Sequence, residues 1–321
     1  MDLSIVIVSY KVPELLDNCI ASVLAETRDL EYEILIVDNA PGDGSAEMIR
    51  GKYTPEKCPH LRLLEPDDNL GFAGGNNFAA AQARGKRILL LNPDTVVLNG
   101  AIQKLWQFAE SKPQAGIVGG RTVKADGSLE PTCCWSDPGI WPLACKAFGL
   151  NVLFRGNRIF DRESMGWWLR DDDRQVDIIT GCFLMISKEL WDEVGGFDPR
   201  FFMYAEEVDL CWRVRNKGKE IWFAHEPEII HLVGASAEKA SGSRLLAVNK
   251  ALLKLFHKHR GWAYCMLADF LMVTGLLIRS SGFFVKGLLK EHNYKQRAKD
   301  LAKAAAVQAS WMLNMEKLAN S

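Results

Sequence analysis

Short apolar runs that end in polar clusters, with helical patterns between them, constrain this chain more than any other feature. Leu3–Ser9, Glu33–Val37 and Arg87–Leu91 each read as a strand. After the first, Pro13 opens a helix with Leu15, Leu16, Cys19, Ile20, Val23 and Leu24 on one face. Strand and helix alternating in this way predict an α/β fold, a parallel sheet covered by helices. The polar ends matter because open α/β sheets bind ligands in the crevice beyond the carboxyl ends of their strands.

The pattern loosens from Trp135 to Asp173, where aromatics, glycines and charges mix without regular periodicity, and a long excursion or lid is expected. Order returns with strands at Val176–Ile179 and Gly181–Ile186, a helix at Ser187–Val194, a turn at Gly195–Pro199, and a helix at Glu206–Asn216. Two more strands are expected at Glu220–Ala224 and Glu228–Val233. Beyond Ser243 the chain reads as helical and basic, with Trp and Phe interspersed. From Lys250 on, 12 Lys/Arg face 4 Asp/Glu, leaving 27 against 36 for the preceding residues. A basic tail on an acidic body points to an anionic partner such as a membrane surface, or to a solvated charged helix face. Nucleic acid is not expected as a partner.

At 321 residues, 48% hydrophobic and 25% charged, the chain suits one large domain plus an appendage, and disorder is not its default. Its eight cysteines are irregularly spaced and form no Cys-x-x-Cys pair, so reduced, mostly buried cytosolic thiols are expected rather than a disulfide frame or zinc site. Met1–Val8 lacks a basic leader and reads as a first strand rather than a signal peptide. Trp262–Ile278 is interrupted by Asp269 and falls short of the roughly 20 residues that a spanning helix needs, so no conventional transmembrane span is expected.

Four clusters could carry chemistry. Ser9-Tyr10 with Asp38-Asn39 could receive a nucleoside, although a strand-to-turn ending explains the second pair equally well. Asn69-Leu70-Gly71-Phe72-Ala73-Gly74-Gly75-Asn76-Asn77 reads as a glycine loop before an Ala-rich helix, whose N-terminus could meet phosphate oxygens. It has neither the order of a dinucleotide fingerprint nor that of a P-loop. Asn92-Pro93-Asp94 offers a carboxylate that could hold Mg²⁺ or Mn²⁺, or could simply cap a turn. In Tyr204–Arg213, three acids open a helix, which suits its dipole but also separates their roles: Glu206 and Asp209 share a side while Glu207 points elsewhere. Among the histidines, His231 alone ends an expected strand.

In this order and spacing the clusters resemble the family 2 inverting glycosyltransferases of GT-A fold, most closely the bacterial rhamnosyltransferases of cell-surface polysaccharide synthesis. The resemblance covers roughly residues 1 to 240 and is carried by SIVIVSYKVPELLDNCIASVL, VDNAPGDGS, NLGFAGGNN, LLLNPDTVV, GGFDPRFFMYAEEVDLCWRVRNKG and IIHLVGAS. It implies a mixed, mainly parallel sheet with helices on both faces, plus a C-terminal helical region. The catalytic domain would span 1–242, with nucleotide binding in about 1–100 and acceptor binding in about 101–242, and 243–321 would be a basic amphipathic helical tail.

The resemblance also assigns roles. Ser9, Tyr10, Asp38, Asn69, Gly71, Phe72, Asn76, Asn92 and Asp94 would line the nucleotide-sugar site, with Asp38 on the base. Asp94, standing in the D-x-D position, and His231 would bind Mg²⁺ or Mn²⁺, while Gly181, Cys182, Asp209 and Arg213 would lie on the acceptor side. The general base would be the second acid of the helix motif, Glu207, with Glu206 as the alternative. This chain departs from the family pattern twice: Asn92 replaces the first Asp of D-x-D, and Glu207 replaces the usual Asp.

The implied activity is inverting transfer from a nucleotide diphosphate to an acceptor hydroxyl, with dTDP-rhamnose as the first candidate and another UDP- or GDP-sugar as the alternative. The implied acceptor is a glycan or lipid-linked glycan, and the implied location is cytoplasmic, peripheral on the inner face of the cell membrane. The tail would meet that membrane, pack on the catalytic domain, or form a homodimer. Two rivals stand beside this reading: a nucleotidylyltransferase, whose Gly-rich basic activation loop is missing near the first strand, and a catalytically inactive glycan-binding scaffold of the same fold.

Overall fold

A computed structural model describes residues 1–232, 241–289 and 292–312. The chain forms two compact units, Met1–Trp135 with Leu169–Ala235, and Ser136–Trp168 with Ser236–Ser321.

The first unit is the sheet. In chain order it contains β1 (Leu3–Ser9), α1 (Pro13–Glu26), β2 (Tyr32–Asp38), α2 (Ser45–Lys52), β3 (Leu61–Leu64), α3 (Gly71–Ala80), β4 (Arg87–Leu91), β5 (Thr95–Val97), α4 (Ala101–Ser111), β6 (Ala115–Val123) and β7 (Cys134–Trp135). The second unit then contributes α5 (Ile140–Ala147) and α6 (Leu150–Leu153). The first unit resumes with β8 (Arg174–Gln175), β9 (Ile178–Ile179), β10 (Phe183–Ser187), α7 (Lys188–Val194), α8 (Glu206–Asn216) and β11 (Glu220–His231), with β7 and β9 pairing apart from the main sheet.

Among the described residues the main sheet runs β3-β2-β1-β4-β10-β6-β11-β5, with β8 also pairing with β11. β1 to β4 pair in parallel, β10 runs antiparallel between β4 and β6, and β11 pairs in parallel with β6, giving the mixed sheet that was expected. All seven residues of β1 are buried, as a central strand covered on both faces requires. Side chains alternate across a strand, so Leu3, Ile5 and Ile7 face the helices α1, α2 and α4 with Leu16, Ile20, Ile49 and Leu105. Val8 faces the other way and meets α3.

That contact corrects the reading of the glycine stretch. It is not a loop before a helix, because α3 begins at Gly71 and contains Gly74 and Gly75. A Cβ on Gly75 would lie 2.8 Å from Val8 Cγ1, so this glycine serves the close approach of α3 to β1. Gly75→Ala should therefore destabilise the fold by about 1–3 kcal/mol through overpacking, read as a lower midpoint in urea unfolding. An unchanged midpoint would show that β1 and α3 can move apart freely.

Other differences have simple causes. β3 and β5 went unrecognised because runs of 4 and 3 residues carry little periodicity. The two expected strands near 220 and 228 are one strand, β11, whose pairing with β6 is irregular between Phe223 and Glu228. The end of that expected strand, at Val233, lies outside the described residues. The aperiodic stretch holds α5 and α6, which at 8 and 4 residues are too short for a helical period to register.

The second unit is helical. α5 and α6 belong to it, with α9 (Ser241–Arg260), α10 (Trp262–Leu289) and α11 (His292–Met312). α10 packs against α5, α9 and α11, and a buried chain of hydrogen bonds runs from Asn249 through Gln308 to Asp269. Burial raises the pKa of Asp269, and its bond from Gln308 opposes that rise. The helix continues past Ile278, so Trp262–Gly287, 26 residues with a mean hydropathy of 1.4, is long and apolar enough to cross a membrane. Its 39% burial and its paired Asp269 equally suit a helix of a packed bundle.

Candidate functional site

The sheet order brings the predicted residues into one row along the crevice. β2, β1, β4 and β10 are neighbours, so Asp38, Ser9, Asn92 and Cys182 stand side by side at the strand ends.

At the β1–β2 end, Ser9 is opposite Asp38 in register, and the Asn39 amide donates to the Ser9 carbonyl at 2.9 Å. Asp38 Oδ1 accepts from the Ala40 amide at 3.0 Å, whereas Asp38 Oδ2 and Ser9 Oγ are buried without a hydrogen-bond partner. Burial raises the Asp38 pKa, the Ala40 bond opposes this, and the charges of Asp43, Glu65 and Glu47 add to it. Two adjacent orphaned oxygens are what a ligand bearing N–H or O–H groups would satisfy. Tyr10 follows, 48% exposed, and Lys11 sits at φ 56° with its amide bonded to Asp43.

The α3 terminus is shaped from within the protein. The Gly71 amide donates to Asn69 Oδ1 at 2.9 Å and the Phe72 amide to the Phe202 carbonyl at 3.0 Å. Asn39 Nδ2 donates to the Gly71 carbonyl at 2.8 Å, and Asn76 Nδ2 to the Phe72 carbonyl at 2.8 Å. At least two of its first amides are thus already engaged, and the segment acts as a wall. Gly181 leaves room for the Phe72 ring, which a Cβ there would approach to 2.9 Å. Asn77, which the sequence reading left without a role, bonds both ways with Phe197 and ties α3 to the turn before α8. Asn39, read with Asp38 as a possible nucleoside contact, instead has its side chain engaged with the start of α3, donating to the Gly71 carbonyl and accepting from the Leu70 amide at 3.4 Å.

Next along the row, the Asn92 amide donates to the Cys182 carbonyl at 3.1 Å, and Thr95 Oγ1 donates to the Asn92 carbonyl at 2.7 Å. Asn92 Oδ1 is buried without a partner. β5 pairs with β11, setting His231 opposite Thr95, and the Leu232 amide donates to the Asp94 carbonyl at 2.8 Å. As a result His231 Nε2 lies 3.3 Å from Asp94 Oδ1. Two atoms bound at right angles to one cation, each about 2.1 Å from it, are about 3.0 Å apart, so this spacing fits a shared divalent ion. The carboxylate and an amide oxygen such as that of Asn92 are donors that suit Mg²⁺ or Mn²⁺, and the imidazole tilts the preference toward Mn²⁺. Asp94 and His231 are a pair only, and no group of three or more His, Cys, Asp or Glu side chains that could hold a metal gathers among the described residues.

The remaining candidates are the acids of α8. Tyr204 and Ala205 both have positive φ, 71° and 65°, and a left-handed conformation in non-glycine residues costs about 1–3 kcal/mol each. This turn delivers the start of α8. Asp209 is fully buried and bonded to Arg213 Nε at 2.7 Å, while the Arg213 guanidinium also donates to the carbonyls of Val194 and Gly196. That pair anchors the helix. Glu206 and Glu207 each keep one oxygen without a partner. Burial pushes Glu206 well above the usual carboxylate range, and the charge of Glu207 adds to the rise. Burial likewise pushes Glu207 up to about 7. The Cys182 thiol is pushed up by burial and then by Cys133, Asp94 and Glu207, so Asp94 and Glu207 both act on one thiol.

The fold is the GT-A fold of glycosyltransferases. A mannosyltransferase from Pyrobaculum calidifontis, solved with GDP-Man and Mn²⁺, matches it with a TM-score of 0.59 at 14% identity over 97% of this chain and 86% of the other. Residues 4–165 match the model of glycosyl transferase family 2, and the chain belongs to that family. It is 26% identical to the N-acetylglucosaminyl-diphospho-decaprenol L-rhamnosyltransferase of Mycobacterium tuberculosis over 87% of this chain and 94% of that protein. A low-salt glycan biosynthesis hexosyltransferase of Haloferax volcanii is 24% identical over 72% of this chain and 67% of its own length.

Proposed function

We propose that this protein transfers a sugar, with inversion, from a nucleotide diphosphate to the hydroxyl of a lipid-linked glycan in cell-surface polysaccharide synthesis. The observation that carries the reading is the pairing of Asp94 with His231 in the strand-end crevice that Glu207 also addresses. Rhamnose from dTDP-rhamnose is the first donor to test, on the likeness to the mycobacterial rhamnosyltransferase. Other UDP- and GDP-sugars are the alternative.

Asp38 Oδ2 and Ser9 Oγ would hold the base and its sugar, with Tyr10 over the opening and the Asn69–Asn76 wall beside them. Asp94 and His231 would hold Mg²⁺ or Mn²⁺, which when bound supplies positive charge to the departing diphosphate. Glu207 would take the acceptor proton as the hydroxyl oxygen bonds to the anomeric carbon and the bond to the diphosphate breaks. Gly181, Cys182 and the Asp209–Arg213 pair would shape the acceptor side. The protein would work in the cytoplasm at the inner face of the membrane, with the tail on the bilayer through Trp262, Phe270, Phe283 and Phe284 and the cations Lys254, Lys258, Arg260, Arg279 and Lys286. Lys290, counted with them from the sequence, lies outside the described residues.

Asp38→Ala should weaken donor binding by about tenfold or more, because hydrogen bonds to a charged group contribute about 1.5–3 kcal/mol, and leave kcat at saturating donor largely unchanged. Initial rates against donor concentration check this. A KM equal to that of the wild type would move the base-binding site elsewhere.

A further inference from the structure

We propose that the tip built by α5, α6 and the segment to Ile159 is a wedge that inserts into the interface of a bilayer containing anionic phospholipid. It rests on the membrane reading above and adds a second contact, upstream of the tail, within the same helical unit.

Of the 19 large hydrophobic side chains exposed among the described residues, 14 belong to that unit. Six of them, Trp141, Phe148, Val152, Leu153, Phe154 and Ile159, fall in one short stretch. α6 buries none of its side chains, and Val152 and Leu153 are 75% and 73% exposed. Ala147–Phe154 carries no charged residue. The stretch is nevertheless built. Gly149, at φ 71°, turns α5 into α6, Trp141 Nε1 donates to the Ile159 carbonyl at 2.8 Å, and Phe154 stacks on Phe160 with centroids 4.8 Å apart. An ordered apolar cluster held open to solvent marks a surface that something covers.

The surrounding chemistry favours lipid. Exposed Arg155 and Arg158 lie within the segment to Ile159 and exposed Arg162 follows it, and Arg158 lies 4.5 Å from the centroid of the Trp167 ring. Apolar side chains flanked by cations and Trp suit the layer between acyl chains and anionic headgroups. In a symmetric dimer through this tip the arginines would approach their own copies, an unfavourable arrangement. The unit also contains a cavity of about 210 Å³ whose lining is mainly apolar, with Lys146, Asn249 and Arg279 as its polar members.

The test is flotation of the full chain with vesicles of phosphatidylcholine alone or mixed with phosphatidylglycerol. The wild type should float with the anionic vesicles, and Val152→Asp/Leu153→Asp about tenfold less, with donor turnover unchanged. Because all eight native cysteines are buried, an environment-sensitive dye on Val152→Cys labels the tip alone, and its emission should shift to the blue on the anionic vesicles. Phe270→Asp, at a site 63% exposed on α10, reports on the tail face. If the double variant floats like the wild type while Phe270→Asp does not, the wedge is wrong and the tail reading stands. Absence of wild-type flotation would overturn both. A dimer that the double substitution splits, with flotation unaltered, would assign the tip to a second copy. Donor turnover reports separately on the transferase reading.

Discussion

Glu207→Gln is expected to lower sugar transfer by about 10²- to 10⁴-fold while donor affinity stays nearly unchanged, because the lost base acts on the acceptor. An acceptor hydroxyl is a poor nucleophile, and a base is most useful when its pKa lies near the working pH. Burial brings Glu207 to about 7, whereas Glu206, buried and also beside the charge of Glu207, is pushed well above the usual carboxylate range. Adjacent carboxyls pushed apart in this way divide into one that stays protonated and one that is available to accept a proton. kcat/KM of the unliganded enzyme should therefore fall below about pH 7 as Glu207 takes up its proton. The sign for stability is opposite. A carboxyl whose folded pKa is raised binds its proton more tightly in the native state, so its contribution is fully present below its ordinary pKa and is lost as pH rises from there toward 7. Glu207→Gln should thus keep or raise Tm at pH 8 while activity collapses, which separates a catalytic loss from a folding defect. If Glu206→Gln abolishes turnover and Glu207→Gln does not, the base is one residue earlier.

Asp94→Ala should be comparably damaging, about 10²- to 10³-fold in kcat/KM, because several kcal/mol of charge stabilisation on the leaving diphosphate is removed. The same variant should lose Mn²⁺ binding in calorimetry without substrate, since His231 would be left as the sole member of the pair. Its fold should survive, because what holds the segment is main chain, through Leu232 to the Asp94 carbonyl and Asn92 to Cys182. Unchanged Mn²⁺ affinity in Asp94→Ala would assign the cation to other residues.

β1, α1, β2, β4, β10 and α8 were legible in the sequence, whereas α4 and β6 were not read although they have 11 and 9 residues. β3 and β5 were too short to show a period, and β5 is the strand that pairs with β11 to bring His231 to Asp94. Sequence proximity gave no hint of that pairing, since the two residues are far apart along the chain. The glycine stretch misled for a different reason. A glycine that admits a ligand and a glycine that admits a neighbouring strand look alike until Val8 is seen beneath Gly75. The acids of α8 could be singled out, but not ranked, from spacing. Their ranking depends on burial, which the left-handed turn at Tyr204 and Ala205 and the Asp209–Arg213 anchor help to set.

The most direct test of a metal-assisted glycosyltransferase is release of nucleoside diphosphate from a panel of nucleotide sugars by the purified chain, with Mn²⁺ or with excess chelator, beside Asp94→Ala and Glu207→Gln. The account predicts that one donor is turned over with Mn²⁺, that chelator and Asp94→Ala stop it, and that Glu207→Gln still binds that donor but transfers poorly. Full turnover in chelator, or wild-type rates in both variants, would contradict it.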